Sequence, residues 1–126
     1  LTAVSMNGIK IYEQASGTIN HNAQGIRNQM EADMMHDAIR GDVFHTVVAI
    51  ETRDKESLIE SQKDIKEHCE KLSSYMQKNA KMGLAPAVQA GISDIMPLIN
   101  RYLSSAVATQ KALTSNVMVY CQIRLT

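Results

Sequence analysis

The 126-residue sequence predicts an all-α protein, built as an antiparallel up-down bundle of three long helices. Apolar residues recur in steps of three and four along most of the chain, which is the spacing of one helix face. Only two prolines and six glycines interrupt this pattern, and eight methionines with 4% aromatic residues favour helix packing over a β-sandwich. At this length we expect a single domain spanning residues 1–126.

The first predicted helix covers about residues 2–50, and its apolar side chains form one stripe that we expect to face the core. The members of this stripe are Ile9, Tyr12, Ile19, Ala23, Ile26, Met30, Met34, Ala38 and Phe44. Gly8, Gly17 and Gly25 weaken the first half, since each glycine costs about 1 kcal/mol relative to alanine in a helix. We therefore expect this half to fray unless another segment supports it.

The second predicted helix covers about residues 55–81. Asp54 is the expected N-cap, and Glu56 lies in the first turn, where a negative charge is favourable. Apolar residues repeat every seven positions, namely Leu58, Ile65 and Leu72, and each is followed four residues later by Gln62, Cys69 or Met76. Lys81 and Gly83 indicate the end of the helix, because lysine suits a last turn and glycine suits the position just beyond it.

The third predicted helix covers about residues 86–114 and begins at Pro86, a residue that suits the first helical position. Its apolar stripe alternates steps of four and three: Val88, Ile92, Ile95, Ile99, Tyr102, Ala106, Thr109 and Leu113. This heptad pattern predicts near-parallel packing with a left-handed twist, interrupted by a kink at Pro97. Residues 115–126 alternate with a strand period instead, so we expect an irregular tail there.

Three antiparallel helices leave an open groove where a fourth helix would lie. We expect this groove to be covered either by a fourth helix that the chain lacks or by self-association. The chain starts at Leu1 rather than methionine, and it contains neither a signal peptide nor an apolar run long enough for a membrane span. We therefore expect it to be a piece of a larger protein.

Charge and motif content narrow the classes of function. Thirteen basic residues balance thirteen acidic ones, whereas a nucleic-acid-binding domain normally carries a basic excess, so we expect no nucleic-acid partner. Cys69 and Cys121 lie in no metal-binding spacing, and two cysteines do not make a disulfide scaffold. No nucleophile motif or phosphate-binding glycine loop is present, which favours a function other than catalysis.

The densest polar cluster lies within residues 31–45. Its members at three- and four-residue spacings share one helix face: Asp33, His36, Asp37 and Arg40. They form either a surface ladder of ion pairs or a pocket in which flanking carboxylates hold Arg40. The cluster also resembles half of a carboxylate–metal motif, through Asp33 with His36 and Asp42 with His45. Because both pairs lie on one helix, with the histidines on opposite sides, shared metal binding is disfavoured.

A phosphotransfer bundle, which carries one exposed histidine on a helix, is an alternative of similar length. Such domains usually have a small residue before the histidine and a Lys-Gly pair soon after it. The histidines of this chain lack that context: His21, His36, His45 and His68.

The third helix carries polar residues near the Pro97 kink that suit ligand contacts. Arg101 can pair bidentately with a carboxylate. Tyr102 lies on the apolar stripe, and its hydroxyl needs a hydrogen-bond partner. Thr109 lies two turns further along the same stripe, where we expect a buried polar group.

Residues 26–30 (Ile-Arg-Asn-Gln-Met) and 33–43 (Asp-Met-Met-His-Asp-Ala-Ile-Arg-Gly-Asp-Val) resemble the first long helix of a known family. This is the four-helix-bundle ligand-binding (sensor) domain of bacterial methyl-accepting chemotaxis proteins. The charged second segment and the tyrosine-containing third segment resemble the next two helices of that family. The resemblance covers roughly residues 1–114, and residues 34–40 are its most specific part.

The resemblance implies a periplasmic domain of an inner-membrane receptor that forms homodimers or higher homo-oligomers. It implies a small carboxylate-bearing ligand, an amino acid or an organic acid, bound between helices near the subunit interface, with no metal or cofactor. First-helix arginines hold ligand carboxylates in this family, which points to Arg40 and Arg27, with His36 and Asp37 beside Arg40. Ligand binding then shifts a helix slightly and passes the signal across the membrane. The chain departs from the family at residues 115–126, which are too short for the fourth helix and have the wrong period.

A second hypothesis is a structural or interaction bundle that binds no small molecule. It predicts self-association through the apolar helix faces, without any change in stability when ligands are added.

Overall fold

The computed structural model describes the backbone of residues 2–123 and the side chains of residues 5–115. Its elements are three α-helices, α1 (Thr2–Thr52), α2 (Lys55–Lys81) and α3 (Pro86–Ile123), with no strand in the described backbone. Each helix packs against the other two, and consecutive helices run antiparallel. The predicted all-α bundle is therefore confirmed.

The turn between α1 and α2 is held by the predicted cap. The Asp54 carboxylate accepts hydrogen bonds from the backbone N–H groups of Glu56 (3.0 Å) and Ser57 (3.1 Å), and from the Ser57 hydroxyl (2.8 Å). Arg53, just before it, has a positive φ of 58° that reverses the chain. The two bonds from Ser57 are the main cause that holds the pKa of Asp54 below its ordinary value.

Replacing Asp54 by asparagine tests how this cap depends on pH. A carboxyl whose pKa is lowered in the folded state stabilises the fold above its ordinary pKa of about 3.9, and this contribution is lost as the pH falls through the folded-state value. Asp54→Asn keeps a side-chain acceptor but no charge. We expect the difference in Tm between wild type and variant to shrink as the pH falls from about 5 to about 2, measured by circular dichroism. A difference that stays constant over this range would contradict the role of the carboxylate charge.

The turn between α2 and α3 also follows the predicted signals. The backbone N–H of Met82 donates to the Asn79 carbonyl (3.2 Å) and closes the last turn of α2. Gly83 has a φ of +66°, a left-handed conformation that glycine adopts without a steric penalty. Pro86 is the first residue of α3. Both ends of α2 and the start of α3 therefore lie at the predicted residues.

The face of α1 that meets the bundle differs from the predicted stripe. Buried or half-buried residues follow steps of four and three: Asn28, Ala32, Met35, Ile39, Asp42, Thr46 and Ala49. The predicted stripe is mostly exposed at Ile9, Tyr12, Ile19, Ala23, Ile26, Met30, Met34 and Phe44, and only Ala38 is half-buried. Helix α1 thus carries two stripes at helical spacing. The stripe that packs against α2 is the one that contains polar residues.

Polar residues inside this α1–α2 seam are matched in pairs. The Asn28 amide donates to Asn79 Oδ1 (2.8 Å), and the Asn79 amide donates to the Gly25 carbonyl (3.0 Å). At the other end, Thr46 Oγ1 and Ser61 Oγ lie 3.0 Å apart. Buried polar groups are costly only when they lack partners, so these pairs make a partly polar seam compatible with burial.

Helix α3 follows its predicted stripe in part. Ile92 and Ala106 are buried, and Tyr102 is half-buried, whereas Thr109 is exposed. The prediction of a buried Thr109 is therefore wrong, and the next residue, Gln110, is the buried polar group. The helix continues through Pro97.

The predicted irregular tail is wrong for residues 115–123, which continue α3 to Ile123; residues 124–126 lie outside the described backbone. No glycine or proline follows Pro97 in the sequence to end the helix. Extending an existing helix by one residue costs far less than nucleating one, so the alternating pattern does not stop it.

The first half of α1 extends past the bundle. A Cβ on Gly25 would lie 3.1 Å from the Leu84 side chain, so the α2–α3 turn packs closely against α1 at this position. The preceding residues of α1 continue beyond the turn for about 35 Å, at 1.5 Å per residue. Within the described residues, none of the helices contains a stretch with the length and apolar character of a membrane span.

Candidate functional site

Two adjoining recesses lie in the groove between α1 and α3. The larger has a volume of about 320 Å³, with Leu72 and Met76 of α2 among its lining. The smaller has a volume of about 240 Å³ and lies between Arg40 and Phe44 of α1 and the facing turns of α3. Tyr102 lines both recesses.

Tyr102 is held in place by His36. Its hydroxyl donates to the His36 carbonyl oxygen (3.0 Å), and the two rings lie with their centroids 4.8 Å apart at an interplanar angle of 38°. Burial is the main cause that raises the pKa of Tyr102, so its hydroxyl stays a protonated donor at neutral pH. The hydroxyl partner that the sequence required is thus a backbone carbonyl of α1.

The smaller recess brings together three of the predicted site residues. Arg40 contributes from α1, and Tyr102 and Thr109 contribute from α3, with Ser105 between them. The Arg40 side chain is 63% exposed, and its Nη1 lies 3.8 Å from Asp37 Oδ1. An exposed pair of this length contributes little stability, about 0–1 kcal/mol, so the guanidinium can exchange this partner for another anion.

The larger recess contains the remaining polar cluster of α1. His36, Asp33 and Gln29 lie along its α1 edge. Asp37 is exposed, and its Oδ1 lies 3.5 Å from His36 Nδ1 as well as close to Arg40. The sequence left two possibilities for this cluster, a surface ladder of ion pairs or a pocket that contains Arg40. The structure has features of both, because Arg40 lies beside the Asp37 carboxylate and also lines a recess.

Two predicted site residues lie elsewhere. Arg27 is exposed on α1, about 20 Å before Arg40 along the helix axis, and it lines neither recess. Arg101 is exposed as well, since it is the neighbour of Tyr102 in sequence and adjacent helical residues point about 100° apart. Of the three arginines that the sequence analysis proposed, Arg40 is therefore the one that lines the α1–α3 groove.

Comparisons of this chain with models of protein families, with curated proteins and with solved structures found no match.

A hydrogen-bonded pair of titratable side chains between α1 and α2 was missed by the sequence analysis. The Nδ1 of His68 on α2 donates to Asp42 Oδ2 on α1 at 2.8 Å, and both side chains are largely shielded from water. The sequence pairs Asp42 with His45 on its own helix, whereas the packed helices bring His68 to it. The feature of the sequence that indicates this contact is the second series of four- and three-residue steps in α1. Asp42 belongs to that series, which faces the core.

Cys69, next to this pair, is a free and buried thiol. Burial raises its pKa, and the nearby negative charge of Asp42 raises it further. The thiolate is the nucleophilic form of cysteine, so this environment gives a structural rather than a reactive side chain. No cluster of three metal-binding side chains occurs among the described residues.

A polar cluster that joins all three helices was also missed. The Gln110 amide of α3 donates to the Ser61 carbonyl (2.9 Å) and to Thr46 Oγ1 (3.2 Å), and the three residues are buried. With the Tyr102–His36 bond, it gives α3 two separate polar contacts to the α1–α2 hairpin. Along α3, the smaller recess extends from Tyr102 to Thr109. The Tyr102 contact therefore lies at one end of the recess, and the Gln110 contact lies just past the other end.

Proposed function

We propose that this chain is the signal-input domain of a bacterial chemotaxis receptor, located in the periplasm, which binds a small organic anion in the α1–α3 groove. The observation that supports this proposal best is the meeting of Arg40, Tyr102 and Thr109 around one recess. These residues come from two helices, and Arg40 lies 62 positions before Tyr102 and 69 positions before Thr109 in the sequence. The resemblance of residues 26–43 to chemoreceptor sensor domains favours the same function.

The chemistry of the recess suits a carboxylate. A guanidinium presents a planar fork that pairs with two carboxylate oxygens at once. The hydroxyls of Ser105 and Thr109 line the same recess and are available as further donors. In the proposed complex the ligand displaces Asp37 from Arg40 and contacts α1 and α3 together.

Ligand contact with both helices supplies the means of signalling. A ligand shifts a conformational equilibrium only through contacts that differ between the two states. Closure of the α1–α3 groove around the anion would be such a contact, because Arg40 and Thr109 lie on the two helices that must approach. The parent receptor is proposed to be membrane-anchored and to carry this shift through α1. No metal, cofactor or catalytic step is part of the proposal.

Removal of the Arg40 charge tests the proposed function. Thermal-shift screening of the chain against carboxylates should identify a ligand, since 100 times the dissociation constant adds about 2.7 kcal/mol to the free energy of unfolding. Arg40→Gln should then weaken binding roughly tenfold to a hundredfold, measured by calorimetry, because it removes a charge-assisted hydrogen bond. Lys66→Gln, which removes an exposed charge of the same sign from α2, is the matched control. Equal affinity of both variants would reject the proposed site.

An interaction bundle without a small ligand remains the second candidate function, favoured by the exposed apolar stripe of α1. Ile19, Ile26 and Met30 are all more than 60% exposed. A heptad stripe of this kind is what a second copy of the chain would cover in a homodimer. If this is the whole function, Ile26→Asp dissociates the assembly in sedimentation experiments, while no carboxylate raises the Tm and Arg40→Gln has no effect.

A further inference from the structure

The chemistry of the two recesses narrows the class of anion, and this step rests on the proposed function. We infer that the ligand is a monocarboxylate with an apolar body, such as an aromatic or branched acid, rather than an α-amino acid or a dicarboxylate. The carboxylate binds at Arg40 in the smaller recess, and the apolar body lies across Tyr102 in the larger recess.

The two recesses differ in charge and polarity. Arg40 supplies a cation to the smaller recess. Among the described residues that line the larger recess there is no lysine or arginine, and its polar members along α1 are Gln29, Asp33 and His36. The opposite side of the larger recess is apolar, formed by Leu72, Met76, Ile95, Leu98 and Ile99. A ligand that spans both recesses therefore needs a negative charge at one end and an uncharged, apolar group at the other.

The volume of the larger recess suits a ring. An apolar cavity of about 150 Å³ is sufficient to bind benzene, and the larger recess has about 320 Å³. The Tyr102 ring at its edge offers a face for stacking, at centroid separations of about 4.5–7 Å. Burial of such a body contributes about 25 cal/mol per Å² of apolar surface removed from water.

The spacing along α1 disfavours an α-amino acid. Asp33 lies seven residues before Arg40, about 10 Å along the helix axis. The ammonium and carboxylate of an α-amino acid share one carbon atom, so a carboxylate bound at Arg40 holds the ammonium close to the same guanidinium and far from Asp33. Asp37 is the nearer carboxylate, but it is exposed, and water screens its attraction for the ammonium.

A dicarboxylate is disfavoured for a different reason. Its second carboxylate would enter the larger recess, where the residues from α2 and α3 are mainly apolar and the polar members, Gln29, Asp33 and His36, lie along the α1 edge. An ionised carboxylate that contacts the apolar side of the recess loses hydration there, whereas an apolar group gains from the same contact.

Four related small molecules, each added to the unmodified 126-residue chain, test this inference. They are 3-phenylpropionate, its neutral amide, phenylalanine, which adds the α-ammonium, and succinate, which replaces the ring by a second carboxylate. We expect 3-phenylpropionate to bind at least tenfold more tightly than each of the other three in calorimetry. Leu98→Ser should weaken this binding fivefold or more, since Leu98 lines the recess but is 60% exposed and contributes little to the fold. Ile59→Ser, at an exposed position of α2 outside both recesses, should leave it unchanged.

The outcomes distinguish a failure of the proposed function from a failure of the inference on ligand class. If phenylalanine or succinate binds at least as tightly as 3-phenylpropionate, and Arg40→Gln abolishes that binding, the proposed function stands and the inference on ligand class is wrong. If none of the carboxylates binds, the proposed function and the inference fall together. Unchanged affinity of Leu98→Ser for 3-phenylpropionate would remove the larger recess from the site.

Discussion

Ile39→Ala is expected to lower the free energy of unfolding by about 2–5 kcal/mol. Ile39 is 0% exposed and lies in the core cluster with Ile65, Leu72 and Met76. Removal of three buried carbon atoms loses their transfer free energy and leaves a cavity, because close-packed neighbours relax only partially. Urea denaturation followed by circular dichroism measures the change, as a lower midpoint at unchanged slope.

Met34→Ala is the matched control for this prediction, since Met34 belongs to the apolar stripe that the sequence placed in the core. It lies on the same helix and is 60% exposed. We expect a small change in the stability of the dilute protein. A loss comparable to that of Ile39→Ala would mean that the exposed stripe, and not the seam with α2, is the packed face of α1.

His68→Ala is expected to destabilise the fold by about 3 kcal/mol, because it leaves the Asp42 carboxylate without its partner. The Asp42 side chain is only 10% exposed. Breaking a buried pair costs more than the pair contributes, whereas replacing both members by apolar groups is often neutral. The double variant Asp42→Leu with His68→Leu should therefore regain most of the lost stability in the same denaturation experiment.

The exposed ion pair of α2 provides the comparison. Lys71 Nζ lies 2.6 Å from Glu67 Oε1, a shorter contact than that between His68 and Asp42. Because both of its side chains face water, Lys71→Ala should change the midpoint far less than His68→Ala. If the two single variants cost the same, burial is not what gives the Asp42–His68 pair its importance.

The ends of α2 could be predicted from the sequence because local chemistry decides them. Asp54 satisfies the first N–H groups of the helix, and Gly83 adopts the left-handed conformation that follows its last turn. The end of α3 could not be predicted in the same way. Its alternating residues 115–123 resemble a strand, but a strand needs a neighbouring strand to pair with, and a helix that is already formed needs none.

The buried face of α1 could not be predicted from periodicity. Both faces repeat in steps of three and four, and the apolar one is the more conspicuous in the sequence. The buried one contains Asn28, Asp42 and Thr46, whose burial becomes favourable only when Asn79, His68 and Ser61 are placed opposite them. These partners are 15 to 51 residues away, so no local pattern predicts them.

The candidate site was predictable to the extent that its residues carry their own chemical signal. Arg40 stands out as the arginine of the polar cluster in residues 31–45, and Tyr102 has a hydroxyl that needs a partner. Their proximity depends on how α3 lies across α1, which the spacing within either helix does not determine. For the same reason the sequence does not show that Arg40, and neither Arg27 nor Arg101, lines one of the two recesses.

The matched polar pairs along the α1–α2 hairpin have a mechanical consequence. Sliding α1 past α2 by one turn would separate Asn28 from Asn79, Asp42 from His68 and Thr46 from Ser61 at the same time, so three hydrogen bonds between the helices would be lost together. The three pairs therefore favour one register of the two antiparallel helices, so a force on one end of the hairpin is expected to move α1 and α2 together rather than past each other.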